Sequence, residues 1–171
     1  LAGSGSSVVW SPRSNLSLYG MTADVVSLAN LGVNLSIGTD WPISGSANML
    51  RELACADQFN RDHLDSHFSD YKLWRMATVN AAASLGVGDR LGTLQKGTIA
   101  DIAIFEQRDN SDYGAVVRAS ASDVALVLRG GAPIYGDTPT VDAVSTDGAR
   151  CESFDECGAS RSVCLTGATD R

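Results

Sequence analysis

The chain has 171 residues, of which 44% are hydrophobic and 19% charged, so it can bury an apolar core and is not intrinsically disordered. Its formal charge is −7 and its 13 Lys and Arg residues are spread thinly, which excludes the clustered positive charge of a nucleic-acid-binding protein. No apolar run approaches the ~20 residues that span a bilayer, and no signal peptide is visible. Neither a nucleic acid nor a membrane is therefore an expected partner.

The start of the chain is unusual, because Leu1 takes the place of Met and a strand-like segment follows almost at once. We interpret the chain as the carboxy-terminal portion of a longer protein. Such a portion would contain only some of the residues of an active site.

The first half of the chain predicts alternating strands and helices. Residues 8–11 are expected to form a strand that Pro12 ends, and residues 33–39 alternate with the period of a strand. Between them, Thr22 is the expected N-cap of a helix that Gly32 closes. A short helical crossover between two strands predicts a right-handed parallel βαβ unit.

Two further helices are predicted. One follows a Ser-Gly-Ser loop and places Arg51, Glu52 and Asp57 on its exposed face. The other runs over about residues 70–85.

After Gly88 the pattern changes to short strands, at residues 91–94, 99–105, 124–128 and 133–135, with no substantial helix. Helices followed by strands indicate a change of architecture within the chain. Residues 138–171 contain few apolar side chains.

The four cysteines are unevenly distributed. Cys55 lies alone in a helical segment, whereas Cys151, Cys157 and Cys164 lie within the last 21 residues. Spacings of six and seven residues fit no zinc finger or ribbon, so a disulfide between two of the three is expected, which favours an oxidising compartment. A reduced cytoplasmic tail is the alternative.

Asp40 is the first candidate for a functional residue, because it comes directly after the second strand and before Trp41. In parallel α/β folds, functional groups collect at the carboxyl ends of strands. The alternative is that Asp40 only caps a turn, which is common for aspartate after a strand.

His63 and His67 are the only histidines and are four residues apart, a spacing that some metal sites use. The residues around them include no glutamate in the position that a metalloprotease requires. A solvated, charged segment is the preferred interpretation.

Four segments resemble signatures of the metal-dependent amidohydrolase superfamily, in the branch that includes imidazolonepropionase, guanine and cytosine deaminases and triazine chlorohydrolases. Residues 11–20 resemble its Pro-x-Ser-Asn signature, and residues 38–40 its Gly-Thr/Ser-Asp. Residues 77–86 resemble its Ala-Thr-x-Asn helix, and residues 90–103 its return into a small β-sandwich.

This resemblance implies an α/β fold, namely the last strands and helices of a (β/α)8 barrel followed by part of a small β-sandwich. Residues 1–68 would be the barrel portion with strands seven and eight, and residues 69–87 a linking helix. Residues 88–137 would be the sandwich portion, and residues 138–171 a cysteine-containing tail outside the general pattern.

The resemblance also implies a bound divalent metal, zinc or iron, that lowers the pKa of a water molecule. Asp40 would contact the metal and act first as general base and then as general acid in hydrolysis of a C–N or C–Cl bond in a cyclic amide, an amidine or a related heterocycle. The partner that the resemblance implies is this small-molecule substrate, which Ser14, Asn15, Trp41 and Ser44 would contact. The histidine ligands of the family have no counterpart here, so the chain alone is expected to be inactive.

The alternative to an enzyme is a non-catalytic binding or structural module with a disulfide-bearing tail. A third possibility is a fragment that folds only with a partner, because the unpaired edges of an unclosed barrel would need to be covered by the missing amino-terminal part or by a second copy. The resemblance favours the cytoplasm, whereas the three cysteines near the end of the chain favour an extracytoplasmic location.

Overall fold

The structure is a computed structural model that describes residues 3, 5–146 and 150–165. The chain divides into two compact units. The first unit comprises Leu1–Thr98 and Asp109–Ala119, and the second comprises Ile99–Arg108 and Ser120–Arg171. Within the described ranges, no helix has both the length and the apolar character needed to cross a bilayer.

The first unit contains two strands and six helices among its described residues. They are β1 (Ser7–Trp10), α1 (Pro12–Tyr19), α2 (Val25–Asn30), β2 (Asn34–Ile37), α3 (Met49–His63), α4 (Asp70–Ala77), α5 (Val79–Ser84) and α6 (Gly114–Val117).

Strands β1 and β2 pair in parallel, with Ser7 opposite Asn34 and Trp10 opposite Ile37. The Gly38 N–H extends the ladder by donating to the Trp10 carbonyl at 3.0 Å. The predicted parallel strand pair is therefore confirmed, and the carboxyl ends of both strands lie at the same edge.

The helical crossover differs from the prediction in two respects. Pro12 ends β1 as expected but is also the first residue of α1, a position where its missing N–H costs nothing. Thr22 is not the N-cap of α2, because Asp24 accepts the Ser27 N–H instead. The Thr22 hydroxyl instead accepts from Trp10 Nε1 of β1 at 2.7 Å, so its hydrogen bond goes to the strand and not to the first turn of α2.

The single helix predicted over residues 70–85 is wrong, because Thr78 separates α4 from α5. The Thr78 hydroxyl donates to the Trp74 carbonyl at 3.0 Å, a side-chain bond that competes with the helical ladder. The break leaves Asn80 in α5 able to donate to the Leu35 carbonyl of β2 at 2.8 Å.

The core of the first unit is a continuous apolar cluster between the strands and helices α2, α3, α4 and α6. Its buried members are Trp10, Val25, Leu35, Ile37, Leu53, Ala56, Phe68, Leu73, Met76 and Val117.

Arg118 ties three segments of this unit together. Its guanidinium donates to Asp70 at 2.6 Å and to Asp57 at 3.4 Å, and Arg61 also pairs with Asp57 at 3.1 Å. The hydrogen bond to Asp70 raises the pKa of Arg118. Asp57 is only 3% exposed, so its predicted place on the exposed face of α3 is wrong.

The described residues of the second unit form a five-stranded antiparallel sheet, one α-helix and a short 3-10 helix at Ala121–Asp123. Its elements are β3 (Ile102–Phe105), β4 (Val124–Arg129), β5 (Ala132–Asp137), α7 (Thr138–Val144), β6 (Arg150–Glu156) and β7 (Ala159–Leu165). The order across the sheet is β3-β4-β5-β7-β6.

Several details of the strand-rich half differ from the prediction. Residues 91–94 form no strand, since Gly92 turns the chain with φ +89° and packs where an added Cβ would crowd Ala82. The strand expected from residue 99 begins only at Ile102. Helices α6 and α7 are both present, although no substantial helix was expected after Gly88.

A disulfide joins Cys151 of β6 to Cys164 of β7, where the two residues lie opposite each other in the ladder. The expected disulfide is therefore confirmed, and Cys157 is the exposed free thiol of the three. Cys55 is free and half-buried in α3, and burial raises the pKa of its thiol. The compartment stays a prediction.

Candidate active site

Asp40 lies three residues beyond the end of β2, at the edge where both parallel strands end. Its side chain is exposed and its φ is +57°, in the left-handed region that aspartate tolerates better than most residues. This backbone conformation turns the chain sharply out of the strand.

The loop after Asp40 folds back on itself. The amides of Ser44 and Gly45 donate to the Trp41 carbonyl at 3.1 and 2.7 Å, and the Ser46 amide donates to the Thr39 carbonyl at 3.3 Å. A Cβ on Gly45 would collide with the Thr39 carbonyl, so only glycine fits this turn. The turn returns Ser44 towards the end of β1.

Ser14, in the first turn of α1, joins this loop to the other strand end. Its hydroxyl donates to Asp40 Oδ2 at 2.6 Å and contacts the Ser44 hydroxyl at 2.9 Å. Ser14 is completely buried and Ser44 is 7% exposed. The structure thus brings together three of the five predicted site residues.

The other two predicted site residues lie outside this cluster. Asn15 accepts from the Thr22 hydroxyl at 3.1 Å rather than bonding to Asp40, Ser14 or Ser44. Trp41 directly follows Asp40 and is 62% exposed. Substrate contact by these residues stays a prediction.

Sequence reasoning missed the group that anchors α1. Glu52 was expected on the exposed face of α3 but is completely buried, because its Oε1 accepts the Arg13 backbone N–H at 3.1 Å. Arg13 Nε also donates to the Ser46 hydroxyl at 2.8 Å. Glu52 immediately precedes the buried Leu53, and this position beside the apolar stripe was the available signal.

The two histidines do not share a helix face. Helix α3 ends at His63, and Asp65 and Ser66 both have positive φ before His67. The His63 ring packs 4.8 Å from Phe59, and the His67 ring 4.9 Å from Phe68. Packing against a neighbouring phenylalanine therefore explains the positions of both histidine rings.

A shallow cavity of about 450 Å³ lies elsewhere in the first unit. Its lining includes Leu16, Thr22, Asp24, Phe59 and His63, but not Asp40, Ser14 or Ser44. This cavity is therefore separate from the cluster of Asp40, Ser14 and Ser44.

The Asp40 carboxylate has the chemistry of one metal ligand. Oδ2 is occupied by the Ser14 hydroxyl, and no donor among the described residues bonds to Oδ1. A carboxylate oxygen suits zinc or iron. However, nowhere in residues 5–146 or 150–165 do three or more His, Cys, Asp or Glu side chains come close enough to hold a metal.

Comparison with known proteins identifies the family. The model of the amidohydrolase family matches residues 2–149, so the chain belongs to the amidohydrolase family.

One curated relative is a 5-methylthioadenosine/S-adenosylhomocysteine deaminase from Teredinibacter turnerae. It is 35% identical over 116 residues, which are 64% of this chain and 25% of the relative. The chain thus spans about a quarter of the length of this relative.

Two solved structures have a similar fold. An adenosine deaminase from Xanthomonas campestris with bound zinc gives a TM-score of 0.67 at 28% identity, over 80% of this chain and 35% of that one. An atrazine chlorohydrolase from Arthrobacter aurescens complexed with zinc gives 0.64 at 24% identity, over 78% and 32%, and this likeness concerns the fold alone.

Proposed function

We propose that this chain carries part of the active site of a metal-dependent hydrolase that breaks a C–N bond in a cyclic amidine, a cyclic amide or a related heterocycle. The observation that carries this proposal is the Ser14–Asp40–Ser44 cluster at the carboxyl ends of two parallel strands. Functional groups of parallel α/β enzymes collect at that edge. Membership of the amidohydrolase family supports the same reaction class.

In this proposal β1 and β2 are neighbouring strands of a (β/α)8 barrel, and the antiparallel unit is part of a β-sandwich. A whole barrel needs ~250 residues, more than the first unit contains. The short share of each relative that the chain covers supports this assignment.

Asp40 would be one ligand of a divalent metal, zinc or iron. The metal would lower the pKa of a water molecule and polarise the substrate. Because the described residues supply only this carboxylate, the remaining ligands must come from other residues of the protein or from a partner. For this reason we expect residues 1–171 alone to be inactive, and to associate with the rest of the protein or with a second copy.

Asp40 would also move the proton of the reaction. Its Oδ1 carries no competing hydrogen bond from the described residues, so it can take a proton from the attacking water. The same oxygen can then deliver that proton to the departing nitrogen. Trp41 and Ser44 lie on the loop that starts at Asp40 and would contact the substrate ring, and Asn15 would line the same pocket.

The names of the relatives guide the choice of test substrates. Adenosine and 5′-methylthioadenosine carry an exocyclic amino group on a heterocycle, which hydrolysis would release as ammonia. Both match the substrate class proposed above and the names of related deaminases.

The test is the Asp40→Asn variant of the full-length gene product, assayed for ammonia release from these nucleosides and for zinc content. We expect a loss of about 10²–10⁴-fold in kcat, the usual contribution of a general acid–base group, together with reduced zinc. Asp65→Asn is the matched control, because Asp65 is also exposed with positive φ. Full activity of Asp40→Asn would contradict the proposed role of Asp40, whereas no ammonia release by the wild type would favour the non-catalytic module.

A further inference from the structure

The Ser14 hydroxyl makes two hydrogen bonds. It donates to Asp40 Oδ2 and accepts from the Ser44 hydroxyl. We propose that Ser14 is a positioning residue that fixes the Asp40 carboxylate with Oδ2 occupied and Oδ1 open, as the end of a directed chain of hydroxyls that starts at Ser44. This inference rests on the proposed function of Asp40.

The direction of the hydrogen bonds from Ser44 through Ser14 to Asp40 follows from a count of hydroxyl protons. An ionised carboxylate only accepts hydrogen bonds, so Ser14 spends its single proton on Asp40 Oδ2, 2.6 Å away. The 2.9 Å contact between the two serine hydroxyls then requires Ser44 to be the donor, and the longer contact of the Ser44 hydroxyl with the Trp41 carbonyl, 3.5 Å, is the weaker competing use of that proton. Each hydroxyl thus has a defined orientation as long as Asp40 is ionised.

Burial makes this arrangement rigid. Ser14 is completely buried and Ser44 nearly so, whereas the Asp40 side chain is exposed. An exposed aspartate without a partner samples several rotamers, and a charge-assisted bond to a buried hydroxyl restricts them.

The support for Ser14 comes from a different element. Arg13 bonds to Glu52 of α3 through its backbone N–H and to Ser46 through its side chain, so the first turn of α1 is fixed to α3 and to the loop after Asp40. Ser14 is the next residue in that turn. The loop and helix α1 therefore cannot shift independently without breaking these bonds.

The same geometry argues against Ser14 as a direct substrate contact. Its side chain has no exposed surface, its proton is donated to Asp40, and its oxygen accepts from Ser44. Its effect on a reaction would pass through the position of Asp40. Partners that orient a metal ligand typically change metal affinity or activity by about 10–100-fold when they are removed.

The experiment compares Ser14→Ala with Ser17→Ala in the full-length gene product. Ser17 lies on the same helix and is exposed, so it controls for the loss of a hydroxyl from α1. We expect Ser14→Ala to lose zinc to a chelator about 10–100-fold faster, and to lower kcat while KM for 5′-methylthioadenosine changes little. Ser17→Ala should match the wild type in both measurements.

Two results would overturn the inference. One is unchanged zinc release, and the other is a higher KM with unchanged kcat, which would make Ser14 a substrate contact. If circular dichroism shows that Ser14→Ala does not fold, Ser44→Ala is measured instead, because it removes the hydroxyl that donates to Ser14. An acceleration of zinc release smaller than that expected for Ser14→Ala supports the chain of hydroxyls. Unchanged zinc release refutes it.

Asp40→Asn separates this inference from the proposed function. If Asp40→Asn abolishes activity and zinc binding but the serine variants do not, only the positioning role fails. If Asp40→Asn also has no effect, the proposed function itself fails.

Discussion

The two units of the chain are stabilised by different kinds of interaction. Among the residues that the structure describes, one apolar cluster of the first unit contains ten buried residues, whereas the buried cluster of the second unit consists of Leu126, Val141 and Cys164. The second unit compensates with a disulfide and with a buried arginine. The comparison shows that the candidate site is built on the unit with the larger apolar core.

The buried arginine is the centre of a polar network in the second unit. Arg161, on β7, is 2% exposed and donates to the carbonyls of Ser122 and Val124 at 2.7 and 2.8 Å. It also pairs with Asp137 of β5 and lies 3.6 Å from Glu156 of β6. The Arg161 side chain thus connects β7 with β4, β5 and β6 and with the turn before β4.

The largest effect is expected from Arg161→Met, because it leaves Asp137 and two carbonyls without their donor. Removal of one partner of a buried ion pair costs about 3–5 kcal/mol. Hydrogen exchange of peptides from β4, β5 and β7 should show this loss, while peptides from α3 and α4 stay protected. Arg129→Met is the control, since Arg129 is exposed on β4, and equal effects of the two variants would contradict the network.

The next effect concerns the apolar core of the first unit. Leu73 is completely buried, so Leu73→Ala should destabilise that unit by about 2–5 kcal/mol through lost burial and a residual cavity. All three tryptophans lie in the first unit, so their fluorescence during urea unfolding reports on it selectively. Leu94→Ala should leave that transition unchanged, because Leu94 is 81% exposed. An equal loss of stability in Leu73→Ala and Leu94→Ala would contradict the expected difference between a buried and an exposed leucine.

The smallest effect depends on pH and tests the turn before β4. The backbone and side chain of Ser120 both donate to Asp123, which lowers the pKa of that carboxyl from 3.8. The folded pKa lies below the unfolded one, so this stabilisation is complete above pH 3.8 and disappears as the pH falls through the folded pKa.

Asp123→Asn should therefore lower stability at neutral pH by about 1 kcal/mol, the usual cost of losing the capping bonds of a helix, here those of the 3-10 helix Ala121–Asp123 in the turn before β4. Hydrogen exchange of residues 120–129, corrected for the intrinsic effect of pH, should show a difference from the wild type at pH 7 that shrinks below pH 3.8. A difference that persists unchanged in acid would show that ionisation of Asp123 is not its source.

The candidate site was predictable where a residue follows a regular strand. Asp40 comes after an alternating segment, so its place at the strand edge follows from local pattern and from the parallel pairing. The contact between Ser14 and Ser44 was not predictable, because the two residues are 30 positions apart and meet only through a turn that Gly45 permits. The burial of Glu52 depends in the same way on a backbone N–H 39 residues away.

The sequence by itself determined the parallel strand pair, the position of Asp40 and the family, because hydrophobic periodicity and short signatures are local properties of the chain. The tertiary structure decided which polar groups are buried and which helix breaks, since Glu52, Arg161 and Thr78 act through bonds to partners that local pattern does not identify. A buried polar group is stable only when a distant partner satisfies it, and only the folded chain supplies that partner.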